Sequence, residues 1–318
     1  MPDGPRAVFF GSPDFAVPCL EVTAAATDLR AVVSQPDRPA GRGKQLHEPA
    51  VKVAARRLGV PVLQPEKIRT PEFEAALRAH APEIFIVVAY GRILPPSLLA
   101  IPALGPWNVH ASLLPRLRGA APIQWSIIRG DSRTGVAIMR MEAGLDTGPV
   151  AAMAETAITD EDTTGSLSER LARLGADLLA ETLPRIAAGQ VTLAAQDDAG
   201  ATLAPPLEKD DGRLDFAQPA RAVSARARGV DPWPGATALL DGEVVKLFRP
   251  RVVPAGDLLP VRAAAQPGTV LRADGDGLVI ACGDGAAAFG ELQLPGRKRL
   301  PTGVVLNGHA IEPGTRLG

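Results

Sequence analysis

Over the first 150 residues, short apolar runs alternate with longer amphipathic stretches. AVFF (7–10), LRAVVS (29–34), VPVLQ (60–64) and EIFIVVA (83–89) are β-branched or aromatic and bounded by Gly or Pro. That pattern predicts buried strands. Between them lie helical patterns near 15–26, 48–58 and 71–80. Strand–helix–strand alternation predicts a parallel sheet with right-handed crossovers, in which ligands meet the carboxyl ends of the strands. WNVHA (107–111) and GVAIMRM (135–141) read as further strands. The clearest helix is 166–188, where Leu167, Leu171, Leu174, Leu178 and Ile186 form an apolar stripe. Ser166 and Glu169 have the spacing of a capping box, and Pro184 is expected to kink or end the helix.

The texture changes near 190. Residues 191–212 are polar, with a Pro-Pro pair and an acidic KDDG, and read as a linker. Beyond them short strands alternate with glycine-containing turns, as in ATALLDGEVVKLF (236–248) and GTVLRADGDGLVIAC (268–282). Asp241-Gly242 is a strong hairpin signal, and one helix is expected near 219–228. The division is therefore an α/β domain over 1–190, a linker over 191–212 and a small β-rich domain of barrel type over 213–318.

Composition narrows the function classes. The 318 residues are 46% hydrophobic and 22% charged, ordinary globular values. With 34 basic against 35 acidic residues, the chain is no bulk-charge nucleic-acid binder. Two cysteines are too few for a disulfide scaffold, and four scattered histidines argue against a zinc site. The longest apolar run, 84–90, is far short of a membrane span. The N-terminal apolar stretch ends at Gly-Ser-Pro-Asp, so it is not a signal peptide, and a soluble cytoplasmic protein is expected. Nothing in the sequence demands more than a monomer.

Three motifs fail on inspection. GSPDFA after the first strand lacks the later glycines of a dinucleotide fingerprint. GRGKQ (41–45) lacks the upstream Gly and the Ser/Thr of a P-loop. Asp146-Thr147-Gly148 spells an aspartic-protease triplet, but that chemistry needs two carboxylates sharing a proton, and there is one such triplet.

The informative segment is WNVHASLLPRLRGAAPIQW (107–125). Asn108 and His110 are two apart on a predicted strand, so both leave the same face. On those two residues alone, satisfying buried backbone groups remains an equal alternative. Asp146 lies in another predicted strand-end loop and changes the balance. An Asn and a protonated His can donate to a developing oxyanion, and an Asp can orient the His or move protons. Apart from Ser112 no nucleophile is evident nearby, so direct attack by an acceptor is open.

N-V-H-A-S-L-L-P-R-x-R-G-A-A-P-I-Q with G-L-D-T-G resembles the folate-dependent formyltransferases. FFGSPDFAVP (9–18), QPDRPAGRGK (35–44), VVAYGRILP (87–95), DPWPGA (231–236) and NGHAIEPGTRLG (307–318) extend the resemblance over nearly the whole chain. It is nearest to the branch acting on methionyl-tRNA. The resemblance implies a Rossmann-like formyltransferase domain followed by an OB-like barrel that binds tRNA. It implies 10-formyltetrahydrofolate as co-substrate, no metal, and initiator methionyl-tRNA as partner. Asn108, His110 and Asp146 are then the catalytic residues. Ala89, Tyr90, Gly91, Ser112, Leu113, Leu114 and Pro115 line the pterin side, mainly through backbone. The basic loop 36–47, which composition alone makes a solvated loop, meets the tRNA acceptor end through Arg38, Arg42 and Lys44, and Lys209 adds a contact.

The chain departs from the family pattern at three places. Ser12 stands where Thr is usual, Arg92 where an apolar residue is common, and Pro206 where Lys is common. A formyltetrahydrofolate hydrolase, a sugar or nucleotide formyltransferase, and a non-catalytic RNA-binding protein stay open as alternatives.

Overall fold

In the first strand, β1 (Arg6–Gly11), alternate side chains enter two different cores. Ala7 and Phe9 point to one face of the sheet; Val8 and Phe10 point to the other. All four are fully buried, so no polar residue is tolerated between the strand ends. The computed structural model describes residues 4–40, 45–254 and 265–318.

After β1 come α1 (Val17–Ala26), β2 (Asp28–Val33), a ribbon of β3 (Arg38–Ala40) and β4 (Gln45–His47), α2 (Ala50–Arg57), β5 (Val62–Leu63), α3 (Pro71–Ala79) and β6 (Ile84–Val88). The chain continues through α4 (Pro96–Leu99), β7 (Pro106–His110), β8 (Arg118–Gly119), α5 (Pro122–Ile128), β9 (Arg133–Arg140), β10 (Val150–Ala157) and α6 (Thr164–Ala187). One seven-stranded sheet has the order β10-β9-β7-β6-β1-β2-β5. Strands β5, β2, β1, β6 and β7 are parallel, and β9 runs antiparallel to β7. One core carries Leu179, Leu183 and Ile186 of α6 and Val51 and Ala55 of α2; the other carries Phe73 and Leu77 of α3 and Leu98 of α4.

Two details of α6 differ from expectation. The helix begins at Thr164, two residues early, because Thr163 rather than Ser166 caps it. Thr163 Oγ1 accepts from Ser166 N–H at 3.3 Å, and Ser166 Oγ accepts from Thr163 N–H at 3.1 Å. This is a reciprocal capping box with Ser in place of Glu. The helix also runs on past Pro184, whose carbonyl accepts from Ala188 N–H at 3.0 Å. Pro184 is exposed while Leu183 and Ile186 are buried, so packing of the final turn outweighs the lost backbone bond.

Two compact units form: 1–122, 134–156 and 168–205 make one, and 123–133, 157–167 and 206–318 the other. The stretch expected as a linker over 191–212 is therefore structured in part. Residues 191–205 fold with the first unit: Ala194 pairs with Val150, and β11 (Leu203–Ala204) pairs in parallel with β8.

The second unit carries α7 (Ala220–Gly229), β12 (Ala236–Leu240), β13 (Glu243–Val253), β14 (Val270–Asp274), β15 (Gly277–Ala281), β16 (Ala286–Gln293), β17 (Leu300–Pro301) and α8 (Thr302–Leu306). The order β12-β13-β16-β15-β14 is antiparallel throughout. Asp241 and Gly242 both take positive φ, 51° and 83°, as the two-residue hairpin requires. The C-terminal residues then pair with both edge strands. Leu239 and Gly318 exchange hydrogen bonds of 2.6 and 3.1 Å, and Val270 N–H donates to the Thr315 carbonyl at 2.8 Å. The tail thus closes the sheet into a small barrel. Among the described residues, no helix is long and apolar enough to cross a membrane.

Candidate active site

Asn108 and His110 leave the same face of β7 near its carboxyl end, and Asp146 reaches both from the loop between β9 and β10. Asn108 Nδ2 donates to Asp146 Oδ1 at 3.3 Å. His110 Nδ1 lies 3.6 Å from Asp146 Oδ2. The other ring nitrogen, Nε2, sits 3.0 Å from the Leu117 carbonyl, which can only accept, so Nε2 carries a proton. The ring is thereby fixed with Nδ1 facing the carboxylate. His110 is 5% exposed and the Asp146 side chain 13%, while Asn108 is half-buried.

The loop that presents Asp146 has a built shape. Asp146 has φ of 53°, a conformation that Asp tolerates better than most residues. The backbone N–H of Gly119 donates to Asp146 Oδ2 at 2.9 Å. Gln196 Nε2 donates to the carbonyls of Asp146 and Gly148, at 2.8 and 2.7 Å. Gln196 Oε1 accepts in turn from Arg118 Nε at 3.0 Å, and Arg118 is itself buried and paired with Asp198. A Cβ at Gly148 would lie 1.8 Å from the Arg140 carbonyl, so the glycine of Asp-Thr-Gly is required by close backbone approach rather than by protease chemistry.

The expected folate positions fall into two sets. Ala89 and Gly91 are exposed at a turn after β6, with φ of 46° and 78°, while Tyr90 points inward at 2% exposure. Burial pushes the Tyr90 hydroxyl up to about 12, and its ring packs edge-on against Phe10 at 5.4 Å. Ser112 is fully buried and donates to the Arg116 carbonyl at 2.6 Å. Leu114 is buried beside Met139 and Val150, and Leu113 and Pro115 are half-buried.

The expected tRNA positions are less gathered. Arg38 is exposed on β3, which pairs with β4 in register Arg38 with His47. Arg42 and Lys44 lie outside the described residues. Lys209 is exposed in the second unit. Gln196, Gly119 and Thr202 were not singled out by sequence, although Thr202 Oγ1 accepts the Leu117 N–H at 2.9 Å and so supports the carbonyl that holds His110. Gly119 lies within the 107–125 segment, whereas the only signal for Gln196 and Thr202 is a polar stretch some 80 residues downstream of the strand they serve.

Comparison with known proteins places the chain among its relatives. A formyl transferase family model matches residues 6–183, and a formyl transferase C-terminal domain model matches 206–310. A methionyl-tRNA formyltransferase of Citrifermentans bemidjiense is 46% identical over 316 residues, 99% of this chain and 97% of that one. Its counterpart in Myxococcus xanthus is 46% identical over 98% of this chain and 97% of its own. Among solved structures, an N-formyltransferase from Helicobacter canadensis, in complex with folinic acid and dTDP-3-aminofucose, aligns with TM-score 0.65 at 14% identity, covering 93% of this chain and 100% of that one. HypX from Aquifex aeolicus in complex with tetrahydrofolic acid aligns with TM-score 0.63 at 17% identity over 96% of this chain. The match covers 47% of HypX, so this chain spans about half the length of that protein. At such identities these structures speak for the fold alone. Full-length identity near one half, together with both domain models, decides the relationship: the chain belongs to the formyl transferase family, in its methionyl-tRNA formyltransferase group.

Proposed function

We propose that the chain moves the formyl group of 10-formyltetrahydrofolate to the α-amino group of methionine carried by initiator tRNA, a step of translation initiation. The observation that carries the reading is the meeting of one carboxylate, Asp146, with the Asn108 amide and the His110 ring at the end of β7. The amine attacks the formyl carbon, a C–N bond forms, and the carbonyl oxygen becomes an oxyanion. Asn108 has a second N–H beyond the one given to Asp146, which serves as a donor for that oxygen. His110 adds a second donor through Nδ1, the ring nitrogen that Leu117 does not hold, when the ring carries both protons. Asp146 accepts the proton of the attacking amine and returns it to N10 as the C–N10 bond breaks. Tetrahydrofolate leaves, and the carboxylate is restored. Ser112 has its hydroxyl committed to the Arg116 carbonyl, which favours direct transfer over an acyl-enzyme.

The pterin lies along the Ala89–Gly91 turn and the Ser112–Pro115 segment. Tyr90 and Leu114 turn their side chains into the core, so the backbone is what these positions offer a ligand. The acceptor end of tRNA approaches the loop 36–47, where Arg38, Arg42 and Lys44 are the candidate contacts, Arg42 foremost. The catalytic domain is 1–190 together with residues 191–205, whose Gln196 and Thr202 brace the site, and the C-terminal domain, 213–318, holds more of the tRNA, with Lys209 just ahead of it. The chain works as a cytoplasmic monomer.

The test is a formyl-transfer assay with 10-formyltetrahydrofolate and charged initiator tRNA, run against elongator methionyl-tRNA and against no tRNA. Formylmethionyl product with initiator tRNA alone is expected. Folate turnover that ignores tRNA would replace this reading with hydrolysis.

A further inference from the structure

Gln35 follows β2 and starts the connection into the β3–β4 ribbon. Its side chain reaches across to the turn after β6, where Nε2 donates to the Tyr90 carbonyl at 3.0 Å. Its Oε1 accepts from Arg92 Nε at 3.1 Å, and more weakly from Arg38 Nη2 at 3.4 Å. The backbone of Gln35 is held too: its N–H donates to Ser12 Oγ at 3.1 Å, and its carbonyl accepts from Gln64 Nε2 at 2.8 Å. The same Gln64 nitrogen donates to Asp37 Oδ1 at 2.7 Å. Arg92 is anchored beyond Gln35, with Nη1 donating to the carbonyls of Pro65 and Glu66 at 3.1 and 2.8 Å.

An amide has two unlike ends, and here each end meets its complement. A carbonyl takes the N–H, and guanidinium groups take the oxygen. The orientation of Gln35 is therefore set, not free. The turn that Gln35 touches is the folate side of the proposed site, and the ribbon it begins is the acceptor side.

We propose that Gln35, locked by Arg92, is a positioning residue that couples the two substrates: ordering the 89–91 turn orders the base of the ribbon, and the reverse. This rests on the functional reading above. Coupling of this kind is reciprocal and appears in binding constants without any turnover. The full-length chain is titrated with 5-formyltetrahydrofolate, a folate that does not transfer its group, with and without saturating uncharged initiator tRNA. In the wild type, tRNA should tighten folate binding on the order of fivefold or more, and folate should tighten tRNA binding by the same factor. Gln35→Leu, of similar size, should bring the factor to one, and Arg92→Leu should reduce it. Both variants should still form product at saturating substrates, which a general structural role would not allow. A factor of one in the wild type overturns the proposal, and so does a Gln35→Leu variant that keeps the full factor. Should Gln35→Leu not fold, an unchanged factor in Arg92→Leu overturns it. Absence of product with every tRNA in the wild type is instead the failure of the functional reading, since the coupling is measured without chemistry.

Discussion

Asp146 keeps a left-handed backbone conformation only because its surroundings insist on it, through Gly119 at the side chain and Gln196 at the carbonyl. Asp146→Asn is nearly the same size and tolerates the same φ, so it tests charge and proton acceptance rather than shape. A loss of about 10²–10⁴ in kcat is expected, the usual range for a proton-transfer group, with tRNA binding unchanged. Single-turnover formylation and filter binding separate the two; equal losses in both would make the aspartate structural. Gly119 is a second residue-scale test. It has φ of 124°, and a Cβ there would lie 2.6 Å from the Ala204 carbonyl. Gly119→Ala should force β8 from β11 and carry away the N–H that holds Asp146, lowering kcat more than it raises the folate KM. A Gly119→Ala enzyme with unaltered kcat would remove that N–H from the argument. The trio was legible in steps: Asn108 and His110 sit two apart on a strand and so share a face, Asp146 joins them from a second strand-end loop, and the family resemblance supplies their roles. Gln196 and Thr202 were not, because their roles are set by contacts between segments far apart in sequence, and Gly119, although inside the 107–125 segment, takes its role from a contact with Asp146 that only the fold makes.

At the scale of elements, one buried cation organises the start of α2. The Lys52 side chain is 8% exposed and donates to Asp37 at 2.6 Å and Glu48 at 2.9 Å. The Asp37 carboxyl is held below its ordinary value, first by the hydrogen bond from Gln64 and then by that from Lys52. Glu48 is lowered chiefly by Lys52, and Lys52 is raised chiefly by Asp37. The signs fix the pH window. A lowered carboxyl stabilises the fold above its unfolded value and loses that contribution as pH falls through the folded one. A raised amine contributes below its unfolded value and loses it as pH rises through the folded one. The cluster is therefore fully engaged between about pH 5 and pH 10. In Lys52→Met the urea midpoint should fall within this window and vary less with pH on both sides of it; a pH profile parallel to that of the wild type would show that the pairs contribute nothing. Elements were largely legible from periodicity, since β1 and β6 are almost continuously buried runs and β2 ends in one. The exceptions share a cause. The passage of α6 through Pro184 and the return of residues 194–204 to β8 and β10 are decided by tertiary packing, which local propensity does not register.

For the whole molecule, the near balance of 34 basic and 35 acidic residues limits how a polyanion can be held. Residues 210–318 carry 13 basic and 12 acidic residues, so attraction has to be local. Even the dense Arg297-Lys298-Arg299 cluster is partly committed: Arg299 pairs with Glu291 and Asp231 and lies over the Phe248 ring at 4.0 Å. A domain that cannot rely on bulk charge depends on keeping its shape, and here the shape depends on the last residues of the chain. Leu317 is 1% exposed, and its N–H donates to the Gly268 carbonyl at 2.8 Å. Deleting Thr315–Gly318 removes that side chain, worth about 2–3 kcal/mol of burial, and several backbone hydrogen bonds worth about 1 kcal/mol each. It also leaves β12 and β14 as open edges, the usual template for association between chains. Calorimetry on the truncated chain should show the transition of the C-terminal unit lowered on the order of 10 °C or more, with light scattering rising alongside it. Binding of 5-formyltetrahydrofolate should persist, because the proposed folate side lies in the first unit and uses none of the deleted residues. A truncated chain that melts as the wild type does would mean that the barrel is held by its five long strands without the tail. Loss of folate binding at temperatures where the first unit remains folded would mean that the co-substrate depends on the second unit as well.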